Sequence, residues 1–191
     1  MKKYILMAVV MLSAFAANAQ TTWTNDPMHS RLGFVVKHTM ISEIDGRFAD
    51  FNATVVTSKP DYTDAKITLT AKVASINTDV EARDNHLRSA DFFDAEKYPT
   101  LTFKSTKLVK VNANKGIVYG NLTFHGVTKP IKLNVTFFGK IVSPMNKKTT
   151  AGFQVKGLLK RSDYNLGSKF PEAIISNDVK IIANVEFSPD K

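Results

Sequence analysis

The sequence predicts an all-β protein, an eight-stranded antiparallel barrel with one helical insert at about residues 79–89. Three observations carry this expectation. Apolar and polar residues alternate through most of the chain, as where Ile67, Leu69, Ala71 and Val73 oppose Lys66, Thr68, Thr70 and Lys72. That is the pattern of a strand with one buried face. The connections between alternating segments are short, which suits antiparallel neighbours rather than crossovers. One stretch, residues 83–106, abandons the alternation: Asp84, Asp91, Asp94 and Glu96 crowd around the adjacent Phe92 and Phe93. Pattern alone leaves a filled two-sheet sandwich open beside the barrel. Closure removes edge strands, and the inward faces mix large Phe with small Ala and Gly, which favours the barrel.

The elements follow in order. After an Asp26-Pro27 turn, Leu32, Phe34, Val36 and His38 share one face of a strand. Asp45-Gly46 is a hairpin signal, and residues 47–56 form a strand in which the spacing of Phe48 and Phe51 predicts a bulge. Lys59-Pro60-Asp61 is a turn into the strand at 66–74. Thr78 and Glu81 have the spacing of a capping box, which starts the helix. Pro99 ends the irregular stretch behind it. Strands follow from Leu101 and Phe103, over 117–124, and over Ile131, Leu133, Val135 and Phe137, the last set off by Gly126 and Lys129-Pro130. Residues 143–148 form a polar loop; Ala151, Phe153, Val155 and Gly157 resume the alternation. Residues 165–177 are irregular, and Val179, Ile181, Ala183, Val185 and Phe187 close the chain.

Residues 1–19 read as a cleaved signal peptide: Lys2 and Lys3, an apolar run from Ile5 to Ala16, then the small-residue site Ala17-Asn18-Ala19. The expected mature chain is 20–191, a single domain large enough for a real core, periplasmic or secreted after cleavage following Ala19. No second long apolar run follows, so no transmembrane segment is expected in it. Loss of Lys2 and Lys3 takes the net charge from +9 to +7. The lysines are scattered through the strands without interleaved stacking aromatics, which argues against nucleic acid. Absence of Cys excludes thiol redox chemistry, thiolate metal sites and a Cys nucleophile.

His29, His38, His86 and His125 lie in separate segments without paired metal-ligand spacing, so neither metal nor any other cofactor is expected. Ser30 and Ser105 lack the nucleophile-elbow context, and no catalytic residue is assigned. Arg83 and Arg88 have the forked geometry to hold an anionic head group. The local alternative pairs Asp79 with Arg83 and Asp84 with Arg88 along the helix; Arg161 beside Asp163 has the same ambiguity.

An ordered set of motifs spans nearly the whole mature length. It comprises Trp23…Asp26-Pro27-x-His29-Ser30, Phe34-x-Val36-Lys37-His38-x-Met40, and Arg83-Asp84-x-His86-Leu87-Arg88-Ser89-x-Asp91-Phe92-Phe93-Asp94. Tyr98-Pro99-Thr100, Phe103-Lys104-Ser105-Thr106, Gly120-Asn121-Leu122-Thr123…Gly126-Val127-Thr128-Lys129-Pro130 and Arg161-Ser162-Asp163-Tyr164 follow. Through these the chain resembles the YceI family of secreted, lipocalin-like polyisoprenoid-binding proteins, with Tyr164 where the family more often has Phe. The resemblance implies a lipocalin-like barrel with a helix between strands and a long apolar pocket. It also implies a periplasmic location and a ligand that is an isoprenoid lipid, quinone or similar long-chain amphiphile. It implies no reaction; a homodimer is compatible with it.

Alternation alone describes a packed core. With the resemblance, the inward residues become lining of a ligand tunnel: Leu32, Phe34 and Val36 on the first long strand, then Ile67 and Leu69, then Ile131 and Leu133. Phe153, Val155, Ile181 and Val185 complete it. Each CH₂ buried there contributes about 0.8 kcal/mol, so a prenyl tail binds without polar contacts. His38, Arg83, His86, Arg88 and Arg161 are the candidate polar or head-group contacts.

Overall fold

The computed structural model describes residues 20–145 and 147–190; the segment assigned to a signal peptide lies outside them. Eleven strands are formed: β1 (Thr21–Asn25), β2 (Arg31–His38), β3 (Ser42–Phe48), β4 (Phe51–Thr57), β5 (Lys66–Lys72), β6 (Ile76–Asn77), β7 (Thr100–Lys110), β8 (Lys115–Phe124), β9 (Val127–Val142), β10 (Thr149–Lys160) and β11 (Asp178–Pro189), with one helix, α1 (Glu81–Arg88). The hydrogen-bonded order β1-β4-β5-β7-β8-β9-β10-β11 returns to β1, closing an eight-stranded antiparallel barrel. β2, β3 and β6 extend its wall, because β2 pairs with β11 beyond β1, β3 with β2, and β6 with β3. The first three barrel strands are thus each broken in two.

Each break has a local cause. Between β1 and β2 the Asp26 carboxylate accepts the Met28 amide at 2.8 Å and the Asp26 carbonyl accepts that of His29, an Asx turn built on Asp26-Pro27. The expected bulge at Phe48–Phe51 is a clean break at Ala49-Asp50. There the Asp50 amide donates to Ser75 Oγ, which lies in the 3₁₀ turn Val73–Ser75 separating β5 from β6.

Three expectations are corrected. Asp45-Gly46 is not a hairpin turn: both residues lie inside β3, opposite Val35 and Phe34, and the chain reverses at Thr39 and Met40, which take positive φ of 47° and 61°. Gly46 is there for space, since a Cβ would sit 2.4 Å from the Phe34 ring. Lys129-Pro130 does not separate strands; both lie in β9, whose pairing to β10 ends at Leu133↔Gly157. Proline is tolerated there because β9 has no partner on that side. Finally, Thr78 does not cap α1. The N-cap is Val80, without a side-chain bond, and Thr78 Oγ instead donates to the buried Asp84 carboxylate at 2.5 Å.

At eight residues α1 is too short to stand alone. Asp84 ties it to the Thr78 amide at 2.8 Å, and Arg88 donates from Nε to the Ala74 carbonyl and from Nη2 to that of Ile76. Neither Asp79–Arg83 nor Asp84–Arg88 forms: Asp79 lies 3.5 Å from Arg47, and Asp84 serves Thr78.

The interior divides into two apolar clusters. One gathers Phe48, Ile76, Phe92, Phe93, Phe103, Phe124 and Tyr164 beneath α1. The other gathers Trp23, Val55, Ala151, Val185 and Phe187 in the opposite half. At roughly 1.5–3 kcal/mol per buried large side chain, these clusters dominate stability. Among the described residues no helix is long and apolar enough to cross a membrane.

Candidate functional site

A cavity of about 310 Å³ opens in the half of the barrel under α1, at the low end of the roughly 300–1,000 Å³ typical of small-molecule sites. Its floor is β2, β3 and β11, through Leu32, Phe34, Phe48, Val179 and Ile181. Leu101, Leu122 and Phe124 form the far wall. The roof comes from Leu87 of α1, the Phe92-Phe93 pair behind it, and Leu166, Phe170, Ile174 and Ile175 of the irregular segment. The lining is almost wholly apolar, and its polar members are Thr78, His38, Arg83, His86 and Arg161.

Those polar members differ in what they offer. Arg83 donates from Nε to Thr78 Oγ at 2.8 Å and from Nη2 to the Thr78 carbonyl at 2.7 Å, which leaves Nη1 uncommitted among the described residues. His38 is exposed at the end of β2, where it bridges to Ile175. His86 sits edge-on to both Phe92 and Phe170, with Nε2 3.7 Å from the Asp91 carboxylate. Lys169 also bonds that carboxylate, at 2.6 Å, and holds it below its ordinary pKa, so α1 and the irregular segment meet across one acid.

Arg161 lines the cavity but is no free anion ligand. It is buried, and its five N–H groups reach the carbonyls of Ser176, Leu166, Gly167, Phe170 and Ile175. Residues 165–177 are therefore an ordered roof folded around one guanidinium. Arg88 stands outside the cavity, with Nε and Nη2 on backbone carbonyls and Nη1 on Asn85 Oδ1 at 2.8 Å.

Of the tunnel residues expected from sequence, Leu32, Phe34, Val36 and Ile181 line this cavity. Ile67, Leu69, Ile131 and Leu133 pack on the cluster beneath α1 without reaching it. Phe153, Val155 and Val185 belong to the opposite cluster. The cavity does not run the length of the barrel: Leu32, Phe51, Ile67, Leu69 and Leu108 pack against both clusters, and in the opposite half Tyr62, from the turn before β5, stands edge-on to Trp23 and Phe153 and tilted on Phe137. A separate recess of about 250 Å³ lies at that end, lined by Tyr62, Phe137 and Phe153. The roof residues Phe92, Phe93, Phe170, Ile174 and Ile175 escaped sequence reasoning, which tracked strand parity; the one available signal was the paired phenylalanines.

The remaining sequence candidates have local partners. Ser30 Oγ accepts the Glu186 amide at 3.1 Å, and Ser105 Oγ accepts that of Ile67 at 2.8 Å. His125 Nδ1 lies 2.9 Å from the Tyr164 carbonyl. Asp26, His29 and Glu186 bring their ligand-type atoms within 4.8 Å of one another. In that group His29 is exposed and bonded to Asp26 at 3.0 Å, and the carboxylate raises its pKa above the ordinary value.

The profile of the YceI-like domain family matches residues 23–187. A UPF0312 protein of Staphylococcus aureus is 37% identical over 174 residues, covering 88% of this chain and 98% of that protein. The crystal structure of Burkholderia cenocepacia BcnA superposes with a TM-score of 0.76 at 26% identity, over 85% of this chain and 98% of that one. A polyisoprenoid binding domain from Saccharophagus degradans, implicated in plant cell wall breakdown, superposes with a TM-score of 0.63 over 88% and 98% of the two chains. At 20% identity, that last likeness is one of fold.

Proposed function

We propose, for a chain that belongs to the YceI-like domain family, that the cavity under α1 holds the tail of a long-chain isoprenoid lipid, quinone or similar amphiphile. The protein acts as a periplasmic or secreted binding and transport protein and not as an enzyme. The observation that carries this proposal is the cavity itself: an almost wholly apolar lining, with Thr78, His38, Arg83, His86 and Arg161 as its polar members. Transfer of the tail from water supplies the affinity, at about 0.8 kcal/mol per buried CH₂. His38, Arg83 and His86 face the head group, with Arg83 Nη1 the available charged donor. A polyisoprenoid-binding protein sharing the fold supports the class of ligand.

The test has two parts. Protein purified from its native compartment is extracted with organic solvent, and a stoichiometric prenyl lipid is expected by mass spectrometry. Prenyl pyrophosphate and the matching prenyl alcohol are then titrated against wild type, Arg83→Ala and Arg88→Ala. Arg83→Ala weakens the pyrophosphate about tenfold or more and leaves the alcohol unchanged, as befits a charge-assisted hydrogen bond; Arg88→Ala does not discriminate. An extract without lipid, together with no saturable binding of either compound, overturns the function. Equal effects of Arg83→Ala on both ligands overturn the head-group assignment alone.

A further inference from the structure

The outer wall has a gap that lipid binding leaves unused. β9 and β10 are paired from Thr149↔Val142 to Gly157↔Leu133 and then part, although β9 extends back to Val127 and β10 on to Lys160. The 3₁₀ turn Arg161–Tyr164 drops between them. The result is a groove of about 580 Å³ with Lys129 and Lys132 on one side, Lys156 and Lys160 on the other, and Asp163 at its end. Among the described residues none of the four lysines is within 4.0 Å of a carboxylate. Like charges gathered around one concavity repel, and Asp163 is the one carboxylate among the residues that line it.

A second observation comes from beneath. Tyr164 lines the same groove and is 1% exposed, yet its hydroxyl has no hydrogen-bond partner. A buried hydroxyl without a partner costs about 1–3 kcal/mol. Burial, with the Asp163 charge beside it, pushes its pKa up to about 12, so it is a donor at any physiological pH. Lysines lining a groove and an unpartnered O–H donor buried beneath it are complementary to oxygen acceptors on a multiply charged anion.

We propose that the groove between β9 and β10 is a binding site for a phosphate- or pyrophosphate-bearing molecule, gripped by Lys129, Lys132, Lys156 and Lys160 and by the Tyr164 hydroxyl. The site lies on the outside of the barrel and needs no chain in the cavity. Its ligand is either a free phosphorylated compound or the head group of an anionic phospholipid, which share the same chemistry.

The experiment uses the lipid-stripped full-length mature protein. Inorganic pyrophosphate is titrated calorimetrically, and vesicles of phosphatidylglycerol or phosphatidylcholine are tested by sedimentation. Saturable one-to-one pyrophosphate binding is expected to weaken at least tenfold, about 1.4 kcal/mol, in Lys132→Gln/Lys156→Gln. Tyr164→Phe is expected to weaken binding several-fold while leaving the urea midpoint unchanged or raised, because the hydroxyl has no partner to lose. Binding to phosphatidylglycerol vesicles alone, lost in the same double variant, supports the site with lipid as its source. No saturable binding to either probe, or binding indifferent to the lysine pair, overturns the proposal. Loss of the Tyr164→Phe urea midpoint would show a structural partner for the hydroxyl and remove it from the site. Cavity loading by prenyl alcohol is unaffected by these variants, so the outcome is separable from that of the lipid test.

Discussion

Arg161 shows what a single residue's surroundings hide from the sequence. Beside Asp163 it suggests either a surface ion pair or an anion ligand, since acids are visible in a sequence and carbonyls are not. The fold instead wraps five carbonyls of residues 166–176 around its guanidinium. Replacing it with Met, of similar length, leaves those acceptors buried and unpaired. Arg161→Met should lower stability by about 3–5 kcal/mol in urea unfolding. Lys cannot reproduce the fork, so Arg161→Lys should recover little of this. A variant within 0.5 kcal/mol of wild type, roughly the scatter of neutral surface changes, would remove Arg161 as the organiser of the roof. Arg83 is the opposite case: its contacts to Thr78 leave Nη1 uncommitted among the described residues.

At the scale of elements, strand parity was legible and turn placement was not. Alternation located the inward faces of β2, β5, β9, β10 and β11, because one-sided burial writes itself into period two. Asp45-Gly46 has the chemistry of a hairpin but not its role, for Gly46 is set by the Phe34 ring crossing it from β2 and by Thr78 Cγ2 at 2.8 Å. That demand comes from across the sheet and leaves no local trace. Gly46→Ala should therefore drive Phe34 toward the cavity it lines, costing about 1–3 kcal/mol by overpacking. Its occupancy by a prenyl alcohol should fall together with stability, read by titration and urea unfolding on the same sample. Unchanged affinity in a folded Gly46→Ala protein would mean that Phe34 does not bound the ligand space. The roof was the least legible element. Its residues have no regular period, and its order depends on Arg161 and on the Asp91–Lys169 bond.

For the molecule as a whole, short connections and alternating faces pointed to the barrel, but neither identifies the strands that close it. Closure is made by the first and last: β1 pairs with β11 at Trp23↔Pro189, and Thr24 Oγ donates to Asp190 at 2.7 Å across 166 residues of sequence. The chain has one tryptophan, and it is this Trp23, buried beside Tyr62. Its environment is complete when the two ends of the chain have met. Non-local pairing of this kind places refolding in the range of milliseconds to seconds. Tryptophan emission after a jump out of urea should therefore report the closing of the seam, separately from the strand signal in circular dichroism. The emission phase should lag behind, and in a chain truncated before Asp178 it should vanish. Emission that recovers fully in the truncated chain would show that the seam is not what encloses the indole. A chain emerging from a membrane pore would be held open for as long as its last dozen residues remain inside, with its fluorescence still that of an unfolded chain.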